Sequence, residues 1–263
     1  MIKKTLFLLF LPIVVYSQNG SEDENSLAQG VEYYEQYMPT STCGEIIDYK
    51  YFSVSYCEET KTSEWSIYYY NKERREAPPF PRANVFQSDP QGRGADLSDY
   101  KYSGYDRGHL TPSRDMAFDE TALKESFYMT NMSPQTMQLN RGVMRRLEYF
   151  IKTKLVDWTN RMKGVVIITG FTNESIGTIK KESVIPVPKY YYKVIIDVKV
   201  NRAIAFLLPN NANRSTDIMD YIVSFEDLQS MTGLDFFYKL DDSVENEMES
   251  LTTGYINNIK SNR

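Results

Sequence analysis

Apolar and polar positions along this chain follow two different periods, and each predicts its own kind of element. Ile46–Tyr56 and Glu64–Tyr70 are rich in β-branched and aromatic residues, which predicts two strands joined by the polar turn Glu58–Ser63. Gly164–Thr169, Tyr190–Val200 and Ala203–Leu208 predict further strands. Tyr191–Asp197 alternates so poorly that it fits a central strand covered on both faces. The other period is helical. Between Arg141 and Trp158, the residues Val143, Leu147, Phe150, Ile151, Leu155 and Trp158 recur at helical spacing and form one apolar face. Arg141, Arg145, Glu148 and Lys152 lie on another, the usual pattern of a solvated side. Phe118–Tyr128 predicts a short helix with Asp119 near its start, and a second begins at Ser224 and stops near Gly233. Between these elements, Ala77–Arg82 holds three prolines and Asp89–Gly94 is rich in turn formers, so both read as loops. The tyrosine triplets Tyr68–Tyr70 and Tyr190–Tyr192 read as sheet packing.

The ends of the chain change the picture. Residues 1–17 have the form of a signal peptide: Lys3 and Lys4, a short apolar run broken by Pro12, then Ser17 before a polar stretch. The run is shorter than the ~20 residues needed to span a bilayer, so no membrane attachment is expected once it is removed. The destination is secretion or the periplasm. Residues 18–40 are expected to be a polar, flexible leader, and 41–263 a single domain. The chain has 30 basic and 35 acidic side chains, and loss of Lys3 and Lys4 makes the remainder more acidic. A polyanion is therefore repelled on average, and any nucleic-acid contact needs a local basic cleft. Cys43 and Cys57 would meet an oxidising compartment, which predicts a disulfide; two cysteines and one distant histidine do not form a usual zinc site.

The candidate chemistry centres on the only histidine, His109, within Ser103–Met116. A neutral imidazole can accept a proton and return it near neutral pH. Arg107 and Arg114 flank it and are able to neutralise an anion; Asp106 or Asp115 would either fix a ring tautomer or pair with those arginines. Downstream, Asn131 and Asn140 fit a turn residue and a helix cap, yet an amide oxygen at a helix start also ligates hard cations. Eight helical residues rise ~12 Å, so Glu148 would reach an ion on Asn140 through its water shell.

Taken together, Asp106-Arg107-Gly108-His109, Asn131-Met132-Ser133-Pro134-Gln135, Leu139-Asn140-Arg141-Gly142 and Leu147-Glu148 resemble the DNA/RNA non-specific endonucleases. Ile168-Thr169-Gly170, Val187-Pro188, Tyr192-Lys193-Val194-Ile195 and Phe206–Asn210 extend the likeness over nearly all of the chain from about residue 45. The resemblance implies an α+β fold of the ββα-metal (His-Me finger) type, with a central, mostly antiparallel sheet flanked by helices. It implies His109 as general base, Asn140 as ligand of Mg2+ (or Mn2+), and Glu148 as organiser of the water around that ion. Arg82 falls where the family places an arginine facing the scissile phosphate, with Arg107 beside it, and Asn131 where it places a residue supporting the site. Arg141, Arg145 and Lys152 are expected to contact substrate phosphate, Lys152 standing where an arginine is often found. The implied activity is phosphodiester hydrolysis of DNA and RNA to 5′-phosphate products, with both substrates held by the backbone. It names no protein partner. A catalytically silent nucleic-acid binder on the same fold, using Arg107, Arg141, Arg145 and Arg146 as a phosphate cradle, is the alternative, and an exported interaction domain is a more distant one.

Overall fold

The computed structural model describes residues 30–82, 85–155, 164–212 and 216–250. The expected signal peptide, the first part of the leader and Trp158 lie outside the described residues. Strands β1 (Glu45–Asp48), β2 (Phe52–Cys57) and β3 (Thr62–Tyr70) form the first part of the sheet. The short helices α1 (Lys72–Glu76) and α2 (Leu97–Tyr100) follow, then β4 (Asp106–His109), α3 (Glu120–Glu125) and β5 (Met132–Gln135). A continuous helical segment comes next, with α4 (Arg145–Phe150) set between wider turns at Leu139–Met144 and Ile151–Leu155. The chain then runs through β6 (Val165–Phe171), β7 (Ser175–Thr178), β8 (Pro186–Pro188), β9 (Tyr190–Asp197), β10 (Arg202–Pro209) and β11 (Ile222–Val223), ending in α5 (Phe225–Thr232) and α6 (Asp242–Ser250).

Seven strands make one sheet in the order β1-β2-β3-β6-β9-β10-β11, and every neighbouring pair is antiparallel. β9 lies between β6 and β10 and is buried along almost its whole length, as its weak alternation predicts. Side chains of the inner strands alternate between two cores: Tyr68, Tyr70, Val165 and Ile167 face Leu139, Val143, Leu147 and Ile151 of the long helical segment. Ile67, Tyr69, Val166 and Ile168 face α5, α6 and the Phe236–Phe237 pair. The sheet is thus covered on both sides by helix, which is the α+β architecture expected. Tyr68–Tyr70, Tyr191 and Tyr192 are fully buried in this packing. α5 starts at Ser224, whose hydroxyl accepts from the Asp227 amide, and stops at Gly233 in the left-handed conformation (φ 68°).

Three expectations are corrected. The single strand over 46–56 is two, because the chain turns at Tyr49–Tyr51 and β2 folds back on β1. That hairpin brings Cys43 beside Cys57, Cα atoms 5.4 Å apart, and they are joined by a disulfide. An unbroken strand of that length would have held the ends roughly 30 Å apart. Residues 31–38 are not part of a flexible leader: Val31–Tyr33 and Glu35–Tyr37 form 3-10 turns, and Tyr34, Tyr37 and Met38 plug the core under α5 and α6. The helix expected from Arg141 begins by Leu139 and is wider than an α-helix at both ends.

Candidate active site

β4 and β5 form a separate two-stranded antiparallel ribbon, pairing Asp106 with Gln135 and His109 with Met132, and the long helical segment follows at once. This ββ-helix unit sits on the face of the sheet that carries the first core, through Leu139, Val143, Leu147 and Ile151. A Cβ at Gly108 would lie 2.2 Å from the buried Gln135 side chain, which would have to give way. Past the end of β4 the chain is clamped by Asn131. Its Oδ1 accepts from the Thr111 amide (2.8 Å), and its Nδ2 donates to the carbonyls of Thr111 (2.9 Å) and Ser126 (2.8 Å). Asn131 is fully buried, so it fixes the backbone beside His109 and does not reach substrate.

His109 stands in an aromatic frame. The Phe127 ring meets it edge-on at 5.0 Å and Phe86 lies at 5.7 Å. Two cations sit over the same frame, the Arg82 guanidinium 5.2 Å from Phe127 and that of Arg107 4.3 Å from Phe86. Nε2 of His109 is buried and makes no hydrogen bond among the described residues. Burial, followed by the charges of Arg82 and Arg107, pushes the imidazole down to about 3, so the ring is neutral at physiological pH. The loop bearing Arg82 is anchored on both sides. Phe80 donates its amide to the Ala117 carbonyl at 2.7 Å, and the main chain of Gln87 bonds to Phe127 and Met129.

The second half of the site is built on the helix start. Asn140 Nδ2 donates to Asp106 Oδ2 at 3.0 Å, and Arg141 makes a bidentate pair with the same carboxylate at 2.8 and 2.6 Å. Burial opposes ionisation of Asp106, but the hydrogen bonds from Arg141 and Asn140 outweigh it and hold the carboxyl below its ordinary range. With Nδ2 so committed, Oδ1 of Asn140 is the amide atom left without a donor among the described residues, which suits a hard divalent cation that keeps most of its waters. Eight residues are about 2.2 turns of a pure α-helix. The wider turn at Leu139–Met144 takes up part of that surplus, bringing Glu148 closer to the line of Asn140. Glu148 is only partly exposed. Burial raises its carboxyl to about 7, Asp115 adds to the rise, and Lys193, Lys152 and Arg145 oppose it.

Asp106 and Asp115 therefore do not act as the sequence suggests. Among the described residues, neither is ion-paired with Arg107 or Arg114 and neither hydrogen-bonds to His109. Asp115 is buried, accepts from the Tyr68 hydroxyl at 2.7 Å and is ion-paired with Lys152. Lys152 is thereby tied into the interior, which corrects its expected role on phosphate, and the charged face is solvated only at its Arg141 and Arg145 end. Arg141 is exposed but held on Asp106, and Arg145 is exposed on the helix. The pairs Asp106–Arg141 and Asp115–Lys152 join residues 35 and 37 positions apart, and nothing local in the sequence announces them. Phe86, Phe127 and Lys193, which is fully buried and donates to Thr169 Oγ1 at 2.5 Å, were also missed. Only the aromatic flank Phe127-Tyr128 gave a hint.

The family profile described as DNA/RNA non-specific endonuclease matches residues 30–243. The chain belongs to this family. Nuclease C1 of Cunninghamella echinulata var. echinulata is 33% identical over 171 residues, 60% of this chain and 66% of that protein. The mitochondrial nuclease EXOG of Mus musculus is 27% identical over 215 residues, 74% of this chain and 57% of its own length. This endonuclease-family chain thus spans under two thirds of these curated relatives. A solved structure, the crystal structure of the EndoG/EndoGI complex, shares the fold with a TM-score of 0.69 at 21% identity, covering 84% of this chain and 95% of that one. Family members are nucleases with a divalent-metal requirement.

Proposed function

We propose that this chain is an exported, metal-dependent endonuclease that hydrolyses DNA and RNA alike, leaving 5′-phosphates and 3′-hydroxyls. One observation carries the reading: a histidine kept neutral between two arginines shares a ββ-helix unit with an asparagine whose amide is oriented by a carboxylate on the same strand. His109 takes a proton from water, the water oxygen attacks phosphorus, and the bond to the 3′ oxygen breaks, that oxygen leaving with the bonding pair and taking a proton from solvent to become the 3′-hydroxyl. Arg82 and Arg107 hold the phosphate over the Phe86–Phe127 frame and stabilise the charge gathering on its oxygens. Asn140 Oδ1 would hold the divalent ion, magnesium or manganese, which supplies charge neutralisation at the phosphate oxygens. Glu148 orients water beside it, and Arg141 and Arg145 contact the flanking backbone. Water, not a ribose 2′-hydroxyl, is the nucleophile, so the reaction asks for no RNA-specific group. The Cys43–Cys57 disulfide supports an oxidising compartment and so supports export.

The test is incubation of purified protein with supercoiled plasmid and with RNA, with and without chelator. Cleavage of both, lost with chelator, and products that accept 5′-label only after dephosphorylation, are expected. Retention of nucleic acid with no cleavage in any divalent ion would instead identify a silent binder.

A further inference from the structure

Beside His109 lies a groove of about 320 Å3 whose lining, Phe127 apart, has no part in the chemistry above. Its floor is Leu123 and Phe127, part of a small separate apolar cluster with Ala117. Phe80 and Val85 stand on its outer side and are 42% and 56% exposed, so apolar surface there is open to a ligand. Gln87, Lys124 and Glu120 also line it and bring an amide, an ammonium and a carboxylate. Two observations say what covers it. Phe127 is a wall shared with His109, 5.0 Å away, and the same ring carries Arg82 at 5.2 Å. Whatever enters the groove is therefore attached to, or adjoins, the anion held by Arg82. The volume is at the low end for small-ligand pockets and fits one flat heterocycle.

We infer that this groove is a subsite for a single unstacked nucleobase next to the scissile phosphate, stacked on the exposed Phe80 ring above the buried floor of Leu123 and Phe127, with its edge met by Gln87, Lys124 and Glu120. The inference rests on the nuclease reading and adds to it a base-binding step. A base must leave its stack to enter, so single strands and distorted duplexes enter at least cost.

The test compares wild type with Leu123→Trp, which fills the floor, and Phe80→Ala, an exposed position where folding is not at risk. Each is given a labelled single strand and the same strand with one abasic residue beside a mapped cleavage position. Wild type is expected to lose about tenfold in kcat/KM at the abasic position, the usual weight of one base stacked on an aromatic ring. Both variants are expected to cut the two strands equally and to keep wild-type turnover of methyl 4-nitrophenyl phosphate, which is too small to reach the groove. A binding arm does not depend on turnover: 2-aminopurine in a strand bound to His109→Ala protein is expected to be quenched, with the quench lost on adding Phe80→Ala. If wild type discriminates and Phe80→Ala and Leu123→Trp discriminate equally well, or the quench survives Phe80→Ala, the groove does not hold a base. If no phosphodiester is cut by any form, the nuclease reading fails, and the quench alone decides the groove.

Discussion

Asp106→Ala removes the acceptor that orients Asn140 without touching the proposed ion ligand. The lost bond, Asn140 Nδ2 to Asp106 Oδ2 at 3.0 Å, is charge-assisted, and such bonds contribute about 1.5–3 kcal/mol. Asp106 is partly exposed, with 18% of its side chain accessible, so the lower end applies. About 1.5 kcal/mol is roughly tenfold in an equilibrium constant. The companion pair with Arg141 is 61% exposed on the arginine side and so adds little to stability. Asp106→Ala is therefore expected to raise the Mg2+ concentration at half-maximal plasmid nicking by about tenfold, in line with the loss on removing an orienting partner of a metal ligand. The rate at saturating Mg2+ should stay near wild type, and thermal unfolding should move by only a few degrees. Arg141→Ala, which leaves the Asn140–Asp106 bond intact, is expected to leave the Mg2+ midpoint in place. If Asp106→Ala slows nicking at every Mg2+ concentration with no change in midpoint, Asp106 does not position the ion ligand.

Asn131→Ala strips three buried hydrogen bonds and leaves their partners unpaired, so a stability loss of about 3 kcal/mol is expected by denaturant titration, with activity regained at lower temperature. Reducing Cys43–Cys57, or replacing both by serine, should cost about 3 kcal/mol and lower the melting temperature by roughly 6–12 °C. For His109, a folded pKa of about 3 against 6.5 unfolded means that its contribution is present above pH 6.5 and lost as pH falls toward 3. His109→Gln should flatten that acid limb of the stability profile. Glu148 has the opposite sign: raised from 4.5 to about 7, it favours the fold below pH 4.5 and loses that contribution as pH rises through 7. Glu148→Gln should therefore make the protein more stable than wild type at pH 8 when no divalent ion is added.

The sequence was most informative where one residue type had one physical reason to be placed. The inner strands and Ser224 and Gly233 bounding α5 follow from local pattern, whereas the Asp106–His109 ribbon was reached only through the family resemblance. It was least informative where a local pattern met a distant partner. Arg141, Arg145, Glu148 and Lys152 have the spacing of a solvated helix face. Yet Lys152 is drawn inward by Asp115, and the wider turn at Leu139–Met144 shifts the phase of the residues before α4. Tyr34, Tyr37 and Met38 sit next to an acidic stretch and share its reading, although three large apolar side chains in five residues are what a packed segment contains. The break between β1 and β2 was legible in principle, since a disulfide from Cys43 to Cys57 requires the chain to turn back between them.

The account depends above all on the neutral imidazole as the base. Single-turnover nicking of supercoiled plasmid by His109→Ala at saturating Mg2+, with retention of the same plasmid measured in parallel, tests it most directly. A rate loss of about two to four orders of magnitude with retention unchanged is expected. Nicking at the wild-type rate would contradict it.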